Sequence, residues 1–257
     1  MNCSGKAKTY LDFEAAINGE FLHAGGRAAS QRLLSMLDFR RDMRVLEIGC
    51  GSGATLSELS GRSQFDLFAL DFSPSMLRNA RKRVRPAERT ILILADASQS
   101  LPFVPDTFDL IYAESVAGIL PFSKVLPEWS RVLKKGGQLA LNDGLWKPET
   151  TRSIVNKFTH LARQEFGHTM APEFTETAAD WKRLLADNGF GKIDIVSAAY
   201  PKDVLRRTKQ AARARRFRIF SQPHLWSRYF RYRKAMKQFA DLGQHLDYWL
   251  FVARKLG

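Results

Sequence analysis

One stretch of the chain combines an apolar run, an acidic residue and a loop of alternate glycines. Residues 43–48 form the run and include Glu47, and the loop that follows contains Gly49, Gly51 and Gly53. A brief apolar run bounded by glycines is typical of a buried parallel strand. Glycines let the backbone turn sharply and approach a ligand without a Cβ atom in the way. We therefore expect a nucleotide-like ligand at the carboxyl end of this strand.

The spacing and charge of the loop indicate which ligand it holds. A pyrophosphate-binding loop has the pattern Gly-x-Gly-x-x-Gly, whereas this loop reads Gly-x-Gly-x-Gly. Glu47 would repel a pyrophosphate but would attract a cationic ligand. Asp71 ends the apolar run 65–70, where it could accept hydrogen bonds from both ribose hydroxyls of an adenosine. Asp96 follows the run 90–94 and could accept a hydrogen bond from the adenine amino group.

These residues, in this order and spacing, resemble the class I S-adenosylmethionine (SAM) dependent methyltransferases. The resemblance is to the small-molecule branch that includes the ubiquinone and menaquinone methyltransferases. It is carried by the motif at 47–53, by Asp71 and Asp96, and by the segment 108–114, and it covers about residues 40–143 strongly. The alternatives are a dinucleotide-dependent dehydrogenase and a non-catalytic Rossmann-like domain.

The resemblance implies a Rossmann-like α/β fold with a seven-stranded, mostly parallel sheet and helices on both faces. It implies methyl transfer from SAM, with S-adenosylhomocysteine as the product. Glu47 and the glycine loop would hold the methionine end, Asp71 the ribose, and Asp96 with Ala97 the adenine. Glu114 faces the transfer site in such enzymes, where it could orient the acceptor, take its proton or bind the methionine end. The predicted cofactor-binding residues are Glu47, Gly49, Cys50, Gly51, Gly53, Asp71, Phe72, Met76, Asp96, Ala97 and Glu114.

We expect one methyltransferase domain over residues 1–257. Residues 1–40 would form a helical cover, 41–200 the Rossmann-like core, 201–245 a basic helical insertion and 246–257 the last strand. The aromatic content of the cover and the insertion favours a small, partly apolar acceptor. An RNA methyltransferase and a non-catalytic SAM-binding protein are the alternative functions.

The N-terminal cover contributes two further candidate catalytic residues. Apolar spacing predicts a broken helix over 9–22 and a second helix over 27–37. In related methyltransferases, helices at this position close the open side of the cofactor and help to form the acceptor pocket. Tyr10 and His23 are therefore candidates together with Glu114. The alternative is that Tyr10 packs internally and that His23 belongs to a turn.

The second half of the sheet is predicted from shorter patterns. A helix over 127–134 precedes a fifth strand over 138–141. The sixth strand is predicted over 192–198 and the last over 248–253, which the resemblance places antiparallel beside the sixth. Residues 142–174 have the least regular pattern.

Two histidines, His160 and His168, lie in that irregular segment. A histidine in a pocket can act as a general base near neutral pH. Neither histidine belongs to a recognisable motif. The sequence does not distinguish between them.

The positive charge is concentrated near the C-terminus. Residues 201–257 hold 15 Lys and Arg against 3 Asp, so they account for +12 of the net charge of +14. Two helices with interleaved basic and aromatic residues are predicted, over 202–220 and 226–242. They could serve as a lid or pack on the domain. As alternatives, residues 202–240 could contact an anionic membrane surface or, less favoured, RNA.

Composition excludes several other classes of protein. No apolar stretch approaches the roughly 20 residues that span a bilayer. Two cysteines are too few for a disulfide framework, so we expect a reducing cytoplasm. The histidines and cysteines show no ligand spacing, so no metal site is predicted. The oligomeric state cannot be inferred from these patterns.

Overall fold

The structure is a computed structural model, and all bounds below refer to the residues that it describes. These are residues 5–17, 19–20, 22–23, 25–60, 64–84, 89–173, 176–198 and 219–257. The strands are β1 Arg44–Ile48, β2 Asp66–Asp71, β3 Thr90–Leu94, β4 Phe108–Glu114, β5 Leu133–Trp146, β6 Phe190–Ser197 and β7 Leu246–Lys255. The α-helices are α1 Gly5–Ala16, α2 Gly26–Ser35, α3 Ala54–Ser60, α4 Pro74–Arg83, α5 Phe122–Val132, α6 Arg152–Phe166, α7 Ala178–Asp187 and α8 Trp226–Gly243.

The strands form one seven-stranded sheet in the order β3-β2-β1-β4-β5-β7-β6. All neighbouring pairs are parallel except those that involve β7, which runs antiparallel between β5 and β6. The predicted fold class is therefore confirmed. Because β1, β2 and β4 are parallel neighbours, Glu47, Asp71 and Glu114 reach the same edge of the sheet.

Local sequence explains the elements around this edge. The side chains of β1 and β4 are buried on both faces of the sheet, as expected for central parallel strands. Ser73 caps α4, because its Oγ accepts a hydrogen bond from the Met76 amide at 3.3 Å. Pro74 occupies the first helical position, where its missing N–H costs nothing. From the same residues, the sequence predicts a helix start near Ala54, after the glycine loop, and another at Pro74, after the Ser73 cap, and both starts are confirmed.

The prediction of a helix over 127–134 is wrong at both ends. The helix α5 begins at Phe122 and ends at Val132, with Pro127 inside it. Phe122, Leu126 and Trp129 recur at helical spacing and are buried, and this burial extends the helix before the proline. The residues that follow belong to β5, which begins where Leu133 pairs with Phe108 of β4.

The segment 142–174 is more regular than its pattern indicates. Its first residues extend β5 to Trp146, because β7 supplies a hydrogen-bonded neighbour as far as Leu246. Its middle forms α6, whose Phe158 and Phe166 lie in an apolar cluster. The same cluster contains Phe13 of α1 and Tyr232 and Phe239 of α8, together with Trp146. Thus α6 and α8 pack on α1, and we call these three helices together the cover.

The outcome for the two terminal segments differs. The predicted helix over 226–242 is confirmed as α8. The predicted helix over 202–220 lies outside the described residues except for Ile219 and Phe220. The N-terminal prediction over 9–22 is too late at both ends, since α1 spans Gly5–Ala16.

Candidate active site

A cavity of about 740 Å³ opens at the carboxyl ends of the parallel strands. It contains most of the residues that the sequence singles out. Those on its wall are Tyr10, His23, Glu47, Gly49, Cys50, Asp71, Phe72, Asp96, Ala97 and Glu114. Gly51, Gly53 and Met76 are not part of the wall, and the Met76 side chain is buried in the core.

Two of the three loop glycines are required by packing within the protein. Gly49 has φ +74°, and a Cβ atom there would lie 2.3 Å from Cγ2 of Val116. Gly53 has φ +75°, and a Cβ atom there would lie 2.9 Å from Ala80. Protein atoms occupy the space that a Cβ atom would need at Gly49 and Gly53, while the backbone of Gly49 lies on the cavity wall. Only Gly51, at φ +51°, has nothing within 4 Å of such a Cβ atom.

The loop and the end of β2 hold the Asp71 carboxylate in place. Its Oδ2 accepts a hydrogen bond from the Gly51 amide and its Oδ1 from the Ser73 amide, both at 2.8 Å. Burial raises the pKa of Asp71 from 3.8 to about 6, although these amides act in the opposite direction. Cofactor binding would therefore find an oriented, nearly desolvated carboxylate.

Acidic side chains dominate the polar wall of the cavity. They are Glu47, Asp71, Asp96, Glu114 and Asp143, and the described part of the wall includes no Lys or Arg. Burial, together with the neighbouring charges of Glu114 and Asp71, raises the pKa of Glu47 well above its usual value. A cationic ligand would offset this cost, so the donor set suits the sulfonium and ammonium groups of SAM and opposes a pyrophosphate.

Glu114 lies at the centre of a polar cluster that joins β4 to the N-terminal cover. Its carboxylate accepts hydrogen bonds from Ser30 Oγ at 2.9 Å, Thr55 Oγ1 at 2.9 Å and Asn142 Nδ2 at 3.1 Å. His23 Nε2 lies 3.4 Å from the same carboxylate. Asn142 Nδ2 lies 3.2 Å from His23 Nδ1, and because an amide NH₂ only donates, the ring proton of His23 belongs on Nε2.

Tyr10 is separated from His23 and Glu114 and belongs to an aromatic group. Its ring packs edge-on against Phe166 at a centroid distance of 4.7 Å and against Tyr232 at 5.2 Å. The His168 ring lies 6.2 Å from it. The three predicted catalytic residues therefore occupy two different parts of the cavity.

The part of the cavity under the cover is largely apolar. Phe158, Met170, Met236, Phe239 and Leu246 line it. They come from α6, the segment after it, α8 and β7, which are far apart in sequence. We call this part the acceptor end, and the part formed by the glycine loop and the ends of β1, β2 and β3 the cofactor end.

The structure separates the two histidines that the sequence could not. His168 lines the cavity, whereas His160 is exposed on α6. A carbonyl only accepts, so the contact of His168 Nδ1 with the Thr169 carbonyl places the ring proton on Nδ1. Burial lowers the pKa of His168 below its ordinary 6.5. The neutral ring therefore keeps a lone pair on Nε2.

Asp143 is an acidic wall residue that the sequence reasoning missed. It is 2% exposed, and its Oδ1 accepts a hydrogen bond from the Gly118 amide at 3.1 Å. Burial raises its pKa from 3.8 to about 8. Its Oδ2 has no hydrogen-bond partner among the described residues. A signal was present in the sequence, because Asp143 is an acid that comes soon after the predicted fifth strand over 138–141, as Asp71 and Asp96 follow their apolar runs.

Comparison with known proteins shows which proteins the chain resembles. The methyltransferase domain family matches residues 46–141. An uncharacterized methyltransferase of Bacillus subtilis is 29% identical over 196 residues, which cover 76% of this chain and 79% of that protein. A demethylmenaquinone methyltransferase of Shouchella clausii is 32% identical over 184 residues, which cover 66% of this chain and 75% of that enzyme.

A solved structure shares the fold. Phosphoethanolamine N-methyltransferase 2 of Haemonchus contortus, in complex with SAM, superposes with a TM-score of 0.68 at 17% identity. The superposition covers 97% of this chain but 57% of that enzyme, so the chain spans little more than half of the nematode protein.

Proposed function

The chain belongs to the class I SAM-dependent methyltransferases, and we propose that it methylates a small, partly apolar acceptor held between the cofactor end and the cover. One observation carries the proposal: the acidic cofactor end and the apolar acceptor end are parts of one cavity. A pocket of about 740 Å³ also lies in the usual range for small-molecule sites.

The cofactor end would hold SAM through its acids. Glu47 would attract the charged methionine end, Asp71 would accept the ribose hydroxyls, and Asp96 with Ala97 would contact the adenine. Phe72 would flank the adenine ring. When bound, SAM supplies an activated methyl group on a sulfonium, which the acceptor displaces in line. Alignment of the two reactants in a dry cavity can provide much of the rate.

Glu114 and His23 are proposed to hold the N-terminal segment, residues 1–40, against β4. The Glu114 carboxylate already accepts hydrogen bonds from three side chains of the protein, so its oxygens are engaged in holding the fold rather than left open to the acceptor. Ser30 and His23 come from the N-terminal segment, so the cluster ties that segment to β4 over the cofactor.

His168 is proposed as the group that takes the acceptor proton. Its Nε2 has a free lone pair in a neutral ring at the acceptor end. Tyr10, beside it, would contact the acceptor and help to orient it. This assignment moves the predicted catalytic role from Glu114 and His23 to a residue that the sequence left undecided.

The test begins with calorimetric titration of the protein with S-adenosylhomocysteine. Asp71→Asn should weaken binding about tenfold to a hundredfold, because it removes the charge from hydrogen bonds to the ribose. Asp66→Asn, at the solvent-exposed start of the same strand, is the matched control and should bind like the wild type. Equal affinities for all three proteins would contradict the proposed cofactor site.

Methyl transfer is then measured by mass spectrometry with acceptors that differ in polarity. Phenols and quinone precursors represent the proposed class, since one relative is a demethylmenaquinone methyltransferase. Phosphorylated and carboxylated acceptors represent the excluded class, because the described wall carries no Lys or Arg. Turnover confined to anionic acceptors would overturn the proposed acceptor, and cofactor binding without turnover of any acceptor would favour a non-catalytic role.

A further inference from the structure

The helix α8 has an inner side that packs on the domain and an outer side with large exposed aromatic side chains. Tyr232, Ala235 and Phe239 are buried on its inner side. On its outer side, Trp226 is 41% exposed and Phe230 is 54% exposed. Such large aromatic side chains are costly to leave in water, and here two of them lie one helical turn apart.

Basic side chains continue the same outer face. Arg233, Lys234 and Lys237 are exposed and follow Trp226 by 7, 8 and 11 residues. At 3.6 residues per turn, these positions lie above Trp226 and Phe230 on one stripe. The stripe is therefore aromatic in its first half and cationic in its second half. We call it the outer stripe of α8.

The aromatic half is packed as a cluster rather than as separate open rings. The Phe220 and Trp226 centroids lie 6.2 Å apart with an interplanar angle of 67°, and those of Tyr229 and Phe230 lie 5.3 Å apart at 58°. Trp226 Nε1 donates a hydrogen bond to the Ile219 carbonyl at 3.1 Å. Its indole can therefore enter an apolar medium without leaving an unpaired donor, whereas tilted, edge-packed rings offer poor platforms for nucleic-acid bases.

The inner side of the same helix reaches the acceptor end. Met236 and Phe239 line the cavity, and Met236 is also half-exposed to solvent. Met236 therefore joins the cavity wall to the protein surface, on the same helix that carries the outer stripe. A surface that binds the outer stripe would bring the acceptor end close to molecules dissolved in that surface.

We propose that the outer stripe of α8 docks the protein on an anionic phospholipid surface. The aromatic cluster would enter the headgroup region, and Arg233, Lys234 and Lys237 would face lipid phosphates. The contact is peripheral, since none of the helices that the structure describes has the length and apolar character to span a bilayer. This inference goes beyond the proposed function and does not depend on the acceptor's identity.

The test is sedimentation of the full chain with lipid vesicles. Binding is expected to vesicles of phosphatidylcholine mixed with phosphatidylglycerol and to fall sharply with phosphatidylcholine alone. Lys234→Glu with Lys237→Glu should weaken binding at least about 25-fold, since each lost cation near an anionic surface costs about fivefold. The matched control is Lys124→Glu with Lys135→Glu, which changes exposed lysines on α5 and β5 and should bind like the wild type.

A second pair of variants separates insertion from simple charge attraction. Trp226→Ser with Phe230→Ser should weaken vesicle binding, whereas Val104→Ser, at a side chain 72% exposed elsewhere, should not. Every variant should retain S-adenosylhomocysteine binding, because these residues lie off the cavity wall.

Three results would overturn the inference. One is a wild-type protein that does not sediment with anionic vesicles. Another is equal binding by the wild type and both outer-stripe variants, which would place the contact on other basic residues of the chain. The third is binding of single-stranded RNA, lost in the same variants, by a protein that ignores vesicles; this would make the stripe a nucleic-acid surface.

Discussion

The two ends of the cavity are built in different ways. The cofactor end comes from one continuous stretch between Arg44 and Ala97, and the hydrogen bond from Gly51 to Asp71 joins two residues of that stretch. The acceptor end assembles Tyr10, His168 and Phe239 from opposite parts of the chain. The comparison teaches that a local motif builds the end proposed to hold the cofactor, whereas packing of distant elements builds the end proposed to hold the acceptor.

The largest expected effect tests whether chemistry belongs to the acceptor end. In His168→Gln, kcat should fall about a hundredfold or more, because a general base typically contributes that much. The affinity for S-adenosylhomocysteine should stay within about twofold. Burial lowers the pKa of His168 below 6.5. In a plot of wild-type kcat against pH, the loss of activity on the acid side should therefore occur below pH 6.5.

His160→Gln is the control for this prediction, since its side chain is exposed on α6. It should leave both kcat and cofactor affinity unchanged. A wild-type rate from His168→Gln would show that another group, or none, takes the proton.

The next effect tests whether the cofactor end depends on its tight loop. Gly49→Ala should lower the free energy of unfolding by about 3 kcal/mol or more, from the strained backbone and the clash with Val116. Gly136→Ala has a similar φ of +72° but open space around it, so it should cost about 1 kcal/mol. Denaturant unfolding measures both. Similar losses in the two variants would mean that Val116 moves aside easily.

A smaller effect compares two buried acids of the cavity wall by their pH dependence, Asp71 at the cofactor end and Asp143 on β5. A folded-state pKa raised above the unfolded value contributes stability at low pH that is lost as pH rises through the folded pKa. For Asp71 the loss should run from about pH 4 to 6, and for Asp143 from about pH 4 to 8. Each can reach at most about 1.4 kcal/mol per pH unit.

Unfolding of the ligand-free wild type and of Asp71→Asn and Asp143→Asn across this range is the measurement. The gain in stability of Asp71→Asn over the wild type should stop growing near pH 6, and that of Asp143→Asn near pH 8. Identical profiles for the two variants would show that Asp71 and Asp143 share one electrostatic environment.

The smallest effect concerns the polar cluster around Glu114, which joins the N-terminal segment to β4. Ser30→Ala removes a donor from the Glu114 carboxylate and should cost about 1 to 2 kcal/mol in unfolding free energy. Ser35→Ala, on the same helix but exposed and bonded to the Arg32 carbonyl, should cost less. A weaker affinity for S-adenosylhomocysteine in Ser30→Ala alone would support the positioning role of the cluster.

Much of the fold could be predicted because it depends on local signals. Short apolar runs, the loop glycines and the Ser73-Pro74 cap can be recognised within a few residues, so the starts of β1 to β3, α3 and α4 were predicted within one residue. The errors at 127–134 and 142–174 share a cause. In both, burial or pairing with distant elements, such as β7 beside β5, extended structure beyond its local pattern.

The sequence by itself determined the cofactor end, since strand ends and acids are ordered along one stretch and parallel pairing brings them to one edge. Only the tertiary structure decided the acceptor end. It turned His168 inward while leaving His160 in solvent, and elsewhere on the cavity wall it buried Asp143 and surrounded Glu114 with donors from three separate elements. The physical reason is that burial and hydrogen bonding depend on neighbours brought together by folding, and no pattern within one element contains them.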